Sequence, residues 1–271
     1  MDNFMKKKMQ VIYLEAQKYL LEILPSSINE KDLESYYKSD NCEFSSLKDV
    51  YEQLISSAQN YRGMPNVIKF SERKETLKRI LYGYDFEKIR KMSVENLYYT
   101  FREEFCVTSR DSKYNSWWKW SNSVIDAANF MSNFKDVNDF RKFVNQFSYN
   151  LLTKMALPLL ISREIHGIGF SLACDTLKEL GYQDYPKPDV HLKDVFYQLG
   201  LSESKEDIEV FEKIVTMADV CKEIDSDVTP YKVDKILWLI CSGNFYKEKI
   251  NVGRHKEDFI KHILCEIDNN C

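Results

Sequence analysis

The sequence predicts an all-α protein, and two observations carry the prediction. Apolar residues recur at spacings of three and four rather than two along most of the chain. Only 8 Gly and 6 Pro interrupt 271 residues, few breakers for a chain of this length.

The elements follow in order. A first helix covers 5–24, with Val11, Leu14, Tyr19 and Leu20 near one face and Pro25-Ser26-Ser27 closing it. Helices over 46–61 and 72–82 come next, the second ended by Gly83. Helices over 85–91, 93–105, 115–132 and 137–155 are separated by polar connectors such as Thr108-Ser109-Arg110-Asp111. Pro158 is expected to open a short apolar helix over 157–165, where its missing N–H costs nothing. Helices over 170–180 and 190–199, then 205–222, 230–241 and 256–268, complete the chain. No internal repeat, low-complexity tract or Gly/Ser linker marks tethered domains. The expected organisation is two packed helical lobes: a central one over 84–181, holding a helix-hairpin-helix unit at 157–181, and a second built from 1–83 and 182–271.

Composition narrows the class further. With 44% hydrophobic and 30% charged residues the chain is that of a globular protein, which excludes disorder, collagen and a small disulfide scaffold. No run approaches the ~18 apolar residues needed to span a bilayer, and the stretch after Lys6-Lys7-Lys8 is broken by Glu15, Lys18 and Glu22. Neither a signal peptide nor a membrane partner is expected. Cys42, Cys106, Cys174, Cys221, Cys241, Cys265 and Cys271 are odd in number and scattered, without a Cys-x-x-Cys pair. No disulfide framework, zinc site or iron–sulfur cluster is expected, hence no metal and no cofactor, and a reducing cytoplasm is the expected home. The net charge of −4 weighs against a protein that coats nucleic acid through many phosphates.

The breakers are concentrated. Between Gly167 and Gly200 lie four of the eight Gly and two of the six Pro, and His166 and His191 are two of the four His. In His166-Gly167-Ile168-Gly169, glycines at alternate positions permit a tight reversal and the close approach of another backbone. Gly181 then offers a left-handed cap to the helix that begins at Phe170. Two readings stand for the hairpin. It is a turn between core helices with Ile168 plugging the core, or its N–H groups at the start of the second helix hold a phosphate oxygen.

A helix over Phe170–Leu180 advances about 16 Å at ~1.5 Å per residue, and the seven residues Tyr182–Pro188 can reach back about 23 Å when extended. The chain can thus return alongside the helix and bring Asp189 to its hairpin end, at the start of the helix that follows. Asp189 is a natural N-cap there, and a capped carboxylate near a helix dipole is expected to stay ionised.

Ile165-His166-Gly167-Ile168-Gly169-Phe170-Ser171-Leu172-Ala173, followed by Pro188-Asp189-Val190-His191, resembles the helix-hairpin-helix DNA glycosylase superfamily. Its signature is a Gly-Val-Gly-type hairpin and, at a distance like that from Gly169 to Asp189 here, an Asp in a Val-Asp-x-His context. The likeness spans about 165–200. It implies a two-lobed helical fold of the HhH-GPD type and double-stranded DNA bearing a damaged or modified base as partner. It also implies a monomer, and a nucleoid-associated location if bacterial. The resemblance assigns DNA contacts to His166, Gly167, Ile168, Gly169 and Phe170, and makes Asp189 the catalytic carboxylate. Relatives with lyase activity carry Lys where this chain has Ser171, so the implied activity is monofunctional: base release that leaves an abasic site. The four-Cys cluster of the adenine-excising branch is absent, and adenine specificity is not carried over.

For the base pocket the candidates are Asp175, one turn after Ser171, and the aromatics Trp117, Trp118 and Trp238. An aromatic stripe at helical spacing such as Tyr114, Trp117, Trp118 and Trp120 is more often core, and core is the expectation for at least two of them. Basic residues gather at Arg73-Lys74, Lys78-Arg79, Lys88-Arg90-Lys91 and Arg254-His255-Lys256, among many carboxylates. The expected function is a DNA glycosylase; the alternative is a non-catalytic helix-hairpin-helix binding module in which Asp189 only caps.

Overall fold

The structure, a computed structural model, describes residues 2–37 and 44–270, with side chains described as far as 267. Cys42 and Cys271 lie outside the described residues. The protein is predominantly helical, 63% helix and 2% strand, as the sequence predicts. The elements are α1 (Asn3–Glu22), α2 (Glu30–Tyr37), α3 (Leu47–Ala58), α4 (Pro65–Ile68), α5 (Lys74–Ile80), α6 (Phe86–Ile89), α7 (Val94–Glu104) and α8 (Ser116–Met131). They continue with α9 (Val137–Gln146), α10 (Leu151–Glu164), α11 (Phe170–Glu179), α12 (Val190–Gln198), α13 (Asp207–Cys221), α14 (Pro230–Ser242), the strands β1 (Asn244–Phe245) and β2 (Ile250–Asn251), and α15 (Lys256–Asn270). Among the described residues no helix is long and apolar enough to cross a membrane.

The chain divides into two compact units, Glu43–Leu180 and a discontinuous one made of Met1–Cys42 and Gly181–Cys271. The expectation put residues 43–83 with the terminal segments; they belong instead to the central unit. The reason is packing: α3 lies against α8 and α11, and α4 also packs on α8.

In the discontinuous unit, Met9, Ile12, Tyr13, Ala16 and Leu20 recur at helical spacing and form the buried stripe of α1. That stripe packs against α13, α14 and α15. The hydroxyl of Tyr13 donates to Asp225 at 2.6 Å and Lys232 reaches the same carboxylate at 2.7 Å, so the polar groups at this edge of the core are satisfied. The sequence reading did not anticipate α2, whose start is set locally. Asn29 Oδ1 accepts from the N–H of Lys31 and Asp32, and Asp32 returns a bond to the Asn29 N–H. Its Tyr36 is fully buried and accepts the N–H of Lys247 in the β1–β2 hairpin, whose register pairs Asn244 with Asn251 and Phe245 with Ile250. Gly243 ends α14 at φ +63, and there the backbone touches backbone: a Cβ on it would lie 1.6 Å from the carbonyl oxygen of Gly253.

In the contiguous unit α8 is the axis. It buries Trp117, Trp120, Val124, Ala127, Ala128 and Met131. The buried indole N–H of Trp120 donates to the Ile55 carbonyl and the Tyr51 hydroxyl to the Val124 carbonyl, tying α3 to α8. The segment predicted as one helix over 137–155 and another over 157–165 is divided elsewhere. Asn150 caps α10 through a reciprocal pair of bonds with Thr153, so the helix starts at Leu151 and carries Pro158 in its interior. The proline removes one intrahelical bond but is itself buried beside Leu157, and the capping box outweighs it as a start signal.

Candidate functional site

The hairpin between α10 and α11 is built by α8 as much as by its own glycines. Asp126 Oδ2 accepts the His166 N–H at 3.0 Å, and the Ser123 hydroxyl donates to the His166 carbonyl at 2.6 Å, so both sides of that residue's backbone are gripped. Burial raises the Asp126 carboxyl above its ordinary value, opposed by the His166 N–H bond and charge. Gly167 follows at φ +80, a conformation that suits glycine, and a Cβ there would sit 3.0 Å from Ser123 Oγ.

Gly169 is different. It caps α11 in an extended conformation, φ −85, that any residue can adopt, and a Cβ on it would meet nothing within 4 Å. Nothing inside the chain demands glycine there. The N–H groups of Gly167 and Gly169 have no hydrogen-bond partner among the described residues. They border a surface pocket of about 360 Å³ whose other walls include Tyr61 and Met64, from the turn before α4, and Lys119 and Ser123 of α8.

The side chains of Ile168 and Phe170, expected at the interface, are 2% and 7% exposed and point into the unit. What they can offer a partner is backbone. His166 is exposed. Lys119 carries no signal in the sequence, being an isolated Lys on an aromatic-rich helix. It lines the pocket with no ion-pair partner among the described residues. The basic runs that did stand out are largely engaged. Lys74 pairs with Glu52, Arg79 with Glu104, Arg90 with Glu87, and Lys256 with Asp194. Arg73 lies over the rings of Phe105 and Trp117.

The aromatic candidates separate by burial. Trp117 is 1% exposed and packs on Phe101, Phe105 and Trp120, so it is core and not pocket wall. Trp118 is half-buried, edge-on to Tyr98 at 5.1 Å, with the Lys113 amine over its ring. Trp238, half-buried on α14, meets Tyr246 edge-on at 6.0 Å. Asp175 is buried and forms an ion pair with Lys178, one turn along α11, at 3.3 Å. That contact pairs its charge within the helix. Ser171 is half-buried in the first turn of α11.

Asp189 belongs to the discontinuous unit. Gly181, at φ +92, ends α11, and the chain runs without helix to Asp189, which caps α12 as the sequence predicts. Its Oδ1 accepts from the N–H of His191 at 2.8 Å and of Leu192 at 3.1 Å. The expectation that the cap simply keeps the carboxylate ionised needs correction. Burial, and then the charge of Asp234, raise the Asp189 carboxyl above the ordinary carboxylate value. The Leu192 N–H and the charges of His191 and Lys187 pull the other way. Asp234 lies 45 positions away in sequence, and no local pattern announces it. His191 stands beside the carboxyl with its Nδ1 buried and no partner among the described residues.

Cys174, Cys221 and Cys241 are buried, and Cys106 and Cys265 are exposed. Among the described residues no group of His, Cys, Asp and Glu is arranged to hold a metal. Set against known proteins, the chain matches no family model, no curated protein and no solved structure.

Proposed function

We propose that this protein is a monofunctional DNA glycosylase that takes a damaged or modified base out of duplex DNA and hydrolyses its N-glycosidic bond. The observation that carries the reading is Gly169: a glycine that the fold does not require, at the mouth of a pocket, between N–H groups left without partners. Such a surface suits an anionic backbone drawn close, as at other helix N-termini that bind phosphate. The contact is blind to sequence, as a scanning enzyme needs. Lys119 adds a positive charge at the same pocket. A few neutral N–H donors and one amine suffice there, so a net charge of −4 is no obstacle.

Asp189 supports the catalytic step. When the bond between the sugar C1′ and the base nitrogen breaks, its electron pair leaves with the base and positive charge develops on the sugar. A fixed carboxylate beside that charge stabilises it. Water then adds to C1′ and its proton passes to the Asp189 carboxylate, while the released base takes a proton from solvent. A carboxyl of raised proton affinity is the better acceptor. The binding-only alternative explains the cap but not the charge. An Asn would cap α12 equally well without burying a carboxylate against Asp234. Amine chemistry is not part of the proposal, since Ser171 stands where a Schiff-base Lys would. The protein is proposed to act as a cytoplasmic monomer.

Incubation with duplexes carrying a panel of lesions is expected to give strand cleavage only after alkali. Cleavage without alkali would overturn the reading of Ser171, and none on the whole panel would favour the binding module. The two hairpin glycines are expected to separate fold from function. Gly169→Ala keeps its urea midpoint but binds duplex about tenfold more weakly, a loss of about 1.4 kcal/mol. Gly167→Ala, strained at its φ and crowded by Ser123, loses about 1–2 kcal/mol of stability. Unchanged affinity in Gly169→Ala would remove the hairpin from the DNA interface.

A further inference from the structure

We propose that Asp234 is a positioning residue for Asp189, holding the catalytic carboxyl in place through the backbone of Pro186-Lys187-Pro188. This rests on the glycosylase reading and deepens it.

Asp234 is 2% exposed on α14, flanked in sequence by Val233 and Lys235 and one turn from Leu237, all buried. A buried carboxylate costs several kcal/mol to desolvate and is kept only where hydrogen bonds or charges compensate it. Its place is explained by what it holds. Pro186 and Pro188 have no N–H, so Lys187 supplies the single backbone donor of the three residues. Asp234 Oδ2 accepts that N–H at 2.8 Å. The carbonyl of Lys187 in turn accepts the N–H of Asp189 at 2.8 Å. The carboxylate on α14 therefore fixes one face of a residue whose other face fixes Asp189, and the α12 cap fixes the side chain.

The same placement sets the charge around Asp189. From α14 it faces Asp234 and the Cys241 thiol, itself pushed up to about 12 by burial and by the Asp189 charge. From its own segment it faces Lys187 and His191. On the elements against α12, Lys256 of α15 pairs with Asp194 and Asp207 of α13 with Lys193, while the buried Lys235 of α14 lies over the rings of Tyr231, Trp238 and Tyr246. Asp234 is thus the negative charge that raises proton affinity at Asp189, and its removal acts in one direction.

The test compares the full-length protein with Asp234→Asn and Asp234→Ala. Asn keeps an oxygen for the Lys187 N–H and removes the charge; Ala removes both. Titration of the 13C-labelled Asp189 carboxyl by NMR, which needs no substrate, is expected to move to lower pH in Asp234→Asn. The acid limb of base release on the lesion duplex is expected to move with it, and the plateau rate to fall less than in Asp234→Ala. Asp234→Ala is expected to lose at least about tenfold of the plateau rate, and its Lys187 amide to lose protection from hydrogen exchange. A plateau rate and a Lys187 amide protection unchanged in Asp234→Ala would overturn the proposal. If Asp234→Ala does not fold, the larger Asp234→Leu, which also offers the Lys187 N–H no acceptor, takes its place. If the Asp189 titration and the Lys187 protection both change while no lesion is released by any form, the positioning pair stands and the glycosylase reading falls.

Discussion

Asp189→Asn is expected to slow base release by about 10³-fold, the scale of losing a preorganised electrostatic group, while affinity for lesion duplex stays within about twofold. The variant is also expected to be as stable as the parent at neutral pH, or more so. Asn retains the cap bonds to His191 and Leu192. It removes a carboxyl whose proton affinity is raised in the folded protein by burial and by Asp234. The sign follows from linkage. A carboxyl that titrates higher when folded than when unfolded binds more protons in the folded state between those two values, so its contribution falls as pH rises through that window. At neutral pH the ionised group is a burden on the fold, and the amide relieves it. Single-turnover release, duplex binding and thermal melting check the three statements. A variant that melts lower and releases base at near the parental rate would show Asp189 to be a cap and nothing more.

Gly243→Ala is expected to be the most damaging small substitution in the discontinuous unit, costing about 3 kcal/mol or more. Two penalties combine: a left-handed φ of +63 and a Cβ 1.6 Å from a backbone oxygen of Gly253, an atom that cannot rotate away. Either the end of α14 or the segment after β2 must move, and both carry core residues, Ile240 and Cys241 on one side and Phe259 on the other. Urea denaturation measures the loss. A midpoint within experimental error of the parent would mean that the close approach of Gly243 and Gly253 is not held in solution.

The features legible in the sequence are those encoded by neighbours. The 3.6-residue period gave most of the helices, Gly167 and Gly181 marked their turns through positive φ, and Asp189 announced its own cap. The failures share a different cause. Pro158 signals a start because proline favours the first turn, but the Asn150–Thr153 pair eight residues earlier already begins the helix. That pair was readable in principle, as was the Asn29–Asp32 pair that starts α2. Trp117 and Trp118 are adjacent and chemically identical, and only the packing of α7 and α8 sends one into the core and leaves the other at its edge. Asp126, Ser123 and Lys119 act on a hairpin some forty residues downstream, and Asp234 on Asp189 from 45 residues away, distances over which a single sequence carries no pairing signal. Most of the fold is local information; the electrostatics of the candidate site are not.

The discontinuous unit also constrains how the chain is made. The first helix buries Met9, Ile12 and Tyr13 against partners supplied by α13, α14 and α15, and its ties reach as far as Lys6 to Glu223. During translation α1 leaves the ribosome with none of those partners yet synthesised, whereas every element of the Glu43–Leu180 unit emerges before the final third of the chain. The Glu43–Leu180 unit can complete its core co-translationally, and the discontinuous one must hold an apolar helix in waiting until α13, α14 and α15 are made.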